Sequence, residues 1–221
     1  EARALQCFHA VDHPSVAVKI LFKLARRQLY DFNRPAETLQ LWESFNSTKK
    51  EWLWSAQNSF WEYMGLLFDA YTRVGTAQTA EAFAQSLLDD PATPPEGLAY
   101  VGIPYSQWLV QERRMQDAYN LFDRLIKAVP NHRLCAYAYY WKALAAYNES
   151  DLKTMENYVG CLRRAQGNST GLLCEWDLNA KALLLLAGLD VDQVAAQVEG
   201  YTPTRLHFLR AEITREQGLL P

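Results

Sequence analysis

The sequence has few of the features by which chains usually declare their chemistry. It carries four cysteines in 221 residues, Cys7, Cys135, Cys161 and Cys174, and none stands in a CxxC pair. That spacing does not support a dense disulfide framework. Long apolar runs are missing too: the longest, 182–187 within KALLLLAG, is far too short to span a bilayer, so no transmembrane segment is expected. There is no basic tract. Lys and Arg number 22 against 25 Asp and Glu, the formal net charge is −3, and both signs are mixed throughout. Nucleic-acid binding that relies on neutralising many phosphates is therefore not expected. The pairs Arg26-Arg27, Lys49-Lys50, Arg113-Arg114 and Arg163-Arg164 sit near helix ends or turns and read as solvated charge. No GxGxxG, phosphate-loop GK[ST], HExxH or GxSxG occurs, which leaves nucleotide, zinc-hydrolase and serine-hydrolase chemistry without motif support.

Aromatic side chains are plentiful. They make up 13% of the chain, with seven Trp and twelve Tyr, far too much large apolar surface for a disordered chain. A spaced set of residues also recurs every 37 or 38 positions. Ala118, Phe122 and Leu125, followed by Pro130, have counterparts upstream in Ala80, Ala84 and Leu87, with Pro91 near the fourth slot; Met155, Val159 and Leu162 are the downstream counterparts. A small residue followed by apolar residues four and seven positions on marks one stripe of a helix. Recurrence at this period marks stacked helical hairpins. The length suffices for one domain or for about five helix pairs.

The expected helices follow from apolar periodicity and punctuation. The first runs over 13–32, with Pro14 in its first turn and Val18, Leu21, Phe22, Ala25 and Leu29 buried. A shorter one after Pro35 carries Ala36, Leu39, Trp42 and Phe45, and 46–50 is a polar break. A long helix over 51–74 holds Trp54, Trp61, Met64, Leu67, Phe68 and Tyr71, and Gly75 stops it. Helix 76–88 precedes a three-proline stretch, 89–97, read as a loop between repeats. Helices over 97–111 and 115–128 form a third unit, the first kinked or restarted by Pro104. Those over 132–147 and 151–165 form a fourth, with Asn131 and Asp151 as N-caps. Segments over 172–186, 190–198 and 203–217 follow, the last covering the apolar end of the stack. The nearest candidate for a strand, 98–103, fits the repeat frame as helix.

These residues resemble the tetratricopeptide repeat family. Ala118, Phe122, Leu125 and Pro130 match its second-helix signature in order and spacing, and Tyr105, Ser106 and Leu109 hold the corresponding first-helix positions. Ala143 suits the close-packing position of the fourth unit. Met155 departs from the usual small residue, Phe68 stands where the family prefers glycine or alanine, and the period exceeds the family's roughly 34 residues. The match covers roughly 51–166. It implies an all-α fold, a right-handed stack of antiparallel helical hairpins forming a single domain over 1–221, with 171–221 as a C-terminal cap. The resemblance further implies a scaffold that binds a peptide or protein partner in a groove lined by first helices.

The groove positions carried over are Tyr100, Ile103, Gln107 and Val110 in the third unit, and Tyr137, Tyr140, Leu144 and Tyr147 in the fourth. The second set also stands out by spacing alone, since steps of three, four and three keep all four on one helical face. Tyrosines suit a binding surface through broad contact area and a polar tip. Tyr139 and Trp141 cover much of the same helix, so sandwiching in a core is the other reading.

No catalytic residue, metal site or cofactor is assigned. Cys7, His9 and His13 lack a fourth ligand at zinc spacing. His132 and His207 have no paired carboxylate motif, and Asp89-Asp90 reads as a helix end and turn. The function expected is non-catalytic interaction with a protein or peptide. The alternatives are a docking segment of a larger assembly and an enzyme whose scattered site follows no common motif. Cys135 and Cys161 fall on apolar helical faces and point to a reducing, cytoplasmic setting. Three glycosylation sequons, at Asn46, Asn148 and Asn168, argue the other way. The start at Glu1 instead of Met reads as a trimmed or processed piece.

Overall fold

A computed structural model describes residues 13–49, 57–166, 177–197 and 201–220, and every regular element among them is helical. Cys7, His9, Trp54, Cys174 and the sequon at Asn168 lie outside the described residues. The chain divides into two compact units, 1–105 and 106–221, with the division falling inside one helix.

In the first unit, α1 (Pro14–Arg26) runs into a π-helical turn over Arg27–Asp31, followed by α2 (Pro35–Lys49), α3 (Gln57–Val74), α4 (Ala77–Leu88) and the greater part of α5 (Pro95–Gln111). α1 packs on α2 and on α3, α2 packs on α3, and α3 packs on α4. The expected stripe of α1 is buried at Val18, Leu21, Ala25 and Leu29. Asn46-Ser47-Thr48, expected in a break, is helical, because α2 continues to Lys49. Tyr63 is fully buried and meets the edge of Trp42 at 5.6 Å; Phe68 meets Tyr105 at the same centroid distance.

Two glycines of this unit are fixed by what surrounds them. A Cβ on Gly97 would stand 2.6 Å from the ring of Trp61, and one on Gly65 would overlap the backbone carbonyl of Tyr100. The second contact has a cause in the sequence. Pro104 lacks the N–H that a regular helix would direct to the Tyr100 carbonyl, and that oxygen faces Gly65. Pro104 does not restart the helix, since α5 runs as one element through it from Pro95. The close-approach residue is thus Gly65, one turn before Phe68.

In the second unit α6 (Met115–Ala128), α7 (Cys135–Asn148) and α8 (Leu152–Gln166) pack in sequence. After them come α9 (Leu178–Leu186), the short α10 (Val191–Ala195) and α11 (Pro203–Gln217). The repeated stripe is buried throughout: Ala118, Phe122 and Leu125 on α6, Met155, Val159 and Leu162 on α8. Asp151 caps α8 as expected, accepting the Thr154 N–H at 3.1 Å, and that bond with the Thr154 side chain holds its carboxyl below the usual range. Asn131 does not cap α7. The helix starts three residues later than expected, its N-cap position is Leu134, and His132 Nδ1 accepts the Leu134 N–H at 3.3 Å.

The unit is more than a linear series of neighbours, because α7 also contacts α9 and α11. A helix apolar on all sides must be covered on all sides, and α7 is such a helix: ten of its residues are buried, from Cys135 to Ala146. Sequential packing of helices with no strand among the described residues is consistent with a helical-repeat arrangement.

Candidate functional site

The second unit contains a cavity of about 640 Å³ floored by the aromatic face of α7. Tyr137, Tyr140 and Trp141 form that floor, Gln107 and Val110 from the end of α5 border it, and α9 and α11 supply charged side chains. Four of the eight groove positions expected from sequence, Gln107, Val110, Tyr137 and Tyr140, border one cavity, but Val110, Tyr137 and Tyr140 are themselves buried, Tyr140 with 1% of its surface exposed, as core packing of this face requires. The others are placed differently. Ile103 and Leu144 are buried, with 1% and 0% of their surface exposed. Tyr147 is half-buried. Tyr100 belongs to the first unit, where its hydroxyl donates to Glu62 Oε1 at 3.3 Å.

A buried ionic network closes one side of the cavity. Lys181 sits in the Ala/Leu-rich helix α9 with only 6% of its side chain exposed. Burying an ammonium without partners is prohibitive. Here Nζ reaches Glu216 Oε1 at 2.8 Å and Glu212 Oε2 at 3.3 Å, and it lies 5.2 Å from the ring centre of Tyr140. The Tyr140 hydroxyl donates to the other oxygen of Glu216. Burial, and then the Glu216 charge, push the Tyr140 hydroxyl well above its ordinary range, so it acts as a donor.

A second pair lies at the start of α9. Asp177 adopts a left-handed backbone, φ 48°, and does not cap the helix with its side chain. Its carboxylate instead receives the Arg205 guanidinium and, at 3.3 Å, the Tyr201 hydroxyl. The carboxylates of the cavity are thus engaged by residues of the same unit.

The donors are not all engaged. Among the described residues, Gln107 Nε2 and Trp141 Nε1 are buried without a hydrogen-bond partner. The Trp141 indole lies close enough to the Tyr137 hydroxyl to favour its ionised form, although burial outweighs this and pushes that hydroxyl up; the N–H does not reach it in hydrogen-bonding geometry. Arg113 and Arg215 also face the cavity, and neither forms an ion pair with a described residue. Arg113 holds the left-handed position, φ 60°, that ends α5. Arg114 N–H bonds the Leu109 carbonyl there at 2.8 Å, the pattern in which glycine is preferred.

Sequence reasoning passed over Asp177, Lys181, Glu212 and Glu216. The signal for the last two was present, since a spacing of four places both on one face of α11. Lys181 was hidden inside an aliphatic run, and nothing local tells which carboxylates, 31 and 35 residues on, will meet it. A second, shallower cavity of about 390 Å³ lies between α6 and α7, where Lys142 pairs with Asp123 at 2.7 Å. No group of three or more His, Cys, Asp or Glu among the described residues is arranged to hold a metal ion. None of the described helices is long and apolar enough to cross a membrane. Comparison with protein-family models, curated proteins and solved structures gives no match to this chain.

Proposed function

We propose that this chain is a non-catalytic interaction module, a divergent helical-repeat protein of tetratricopeptide-like type, that holds a segment of a partner protein in the α5/α7/α9/α11 cavity. The observation that carries the reading is an all-helical, sequentially packed unit with a cavity of about 640 Å³ whose rim carries Arg113, Arg215 and the half-buried Leu219. The lysine and carboxylates of the cavity are spent on each other, which suits a rigid rim better than acid–base work at a reacting atom.

The test is selection of binders from a displayed library of random twelve-residue peptides, using the full chain as bait. Leu219, half-buried at the cavity edge, gives a blocking variant, Leu219→Trp. Peptides retained by the wild-type chain and lost from the folded blocking variant support the proposal. Recovery of no binder, or binders indifferent to the block, overturns it.

A further inference from the structure

We draw no further inference here: the strongest candidate, the surface patch of Tyr30, Phe32 and Val74 in the first unit with Arg27, Arg34 and Arg73 against its rings, is an exposed apolar face whose arginines are already paired with carboxylates of their own helical turns, and nothing in the structure shows what covers it.

Discussion

Replacing glycine by alanine inside a helix ordinarily stabilises it by about 0.5–1 kcal/mol, because the unfolded chain loses freedom and the folded helix loses nothing. Gly97 should do the reverse. A Cβ there would stand 2.6, 2.8 and 2.9 Å from three ring carbons of Trp61, whereas carbon atoms rest at about 3.5–4.0 Å. The ring would have to retreat by roughly 1 Å to restore that spacing. It has little room, being 6% exposed and packed edge-on against Phe60 at 4.9 Å. Overpacking of this kind costs about 1–3 kcal/mol, so the net effect of Gly97→Ala is a loss of about 1–2 kcal/mol. Gly160 is the matched control: it also lies in a helix, α8, but the nearest atom to its added Cβ is the end of the Arg164 side chain at 3.6 Å. Gly160→Ala should stabilise by about 0.5–1 kcal/mol. Urea denaturation followed by circular dichroism at 222 nm compares the two midpoints, with unchanged slopes confirming that only stability moved. If Gly97→Ala raised the midpoint as Gly160→Ala does, the close packing of α3 against α5 at this point would be wrong.

Three further outcomes follow from the buried groups. Lys181→Met leaves Glu216 and Glu212 without their cation and should cost about 3 kcal/mol, whereas Lys181→Met combined with Glu216→Gln should cost far less than the sum of the two single changes; additive losses in urea titrations would show that no buried pair exists. Burial raises the hydroxyl pKa of Tyr63, Tyr119, Tyr137 and Tyr140 above the ordinary value of 10.0. Below pH 10 both folded and unfolded tyrosines keep their protons, so stability is undiminished. Above pH 10 the unfolded chain releases protons that the folded one retains, and stability falls by about 1.4 kcal/mol per pH unit for each such residue. Phenolate absorbance and circular dichroism should therefore show these tyrosines ionising together with unfolding, and full ionisation near pH 11 with helicity intact would refute this. Burial also pushes the Cys135 thiol up to about 12, while Cys161 is half-buried. Peptide mapping after alkylation of the native protein should find Cys161 labelled and Cys135 labelled only after denaturation. Equal labelling of both in the native state would contradict the packing of α7.

Much of the helical frame was legible in the sequence because periodicity and capping are local. The stripes Ala80–Ala84–Leu87, Ala118–Phe122–Leu125 and Met155–Val159–Leu162 recur at 37 or 38 residues and are buried as that spacing requires, except at Leu87, which is half-buried while Leu88 beside it is buried. Asp151 announces α8 because its side chain bonds an amide three residues on. Boundaries failed where two local signals compete: Asn131 is a good cap by type, yet the turn bonding through His132 delays α7 to Cys135. Pro104 is a helix breaker by type, yet it sits inside α5. There the Tyr100 carbonyl, one turn before Pro104, faces Gly65, 35 positions upstream of Tyr100, and no short sequence window contains both.

The candidate cavity was half legible for the same reason. The spacing of Tyr137 and Tyr140 sets them on one face of α7, but spacing does not say what lies opposite that face. The return of α9 and α11 against α7 decides this: Tyr137 and Tyr140 are buried at the edge of a charged cavity, and Leu144 on the same face is buried outright. Lys181 gives the contrast in a single residue. The sequence determines that it belongs to an aliphatic helix; only the tertiary structure, by bringing Glu212, Glu216 and the Tyr140 ring around its ammonium, makes that position tolerable for a charge.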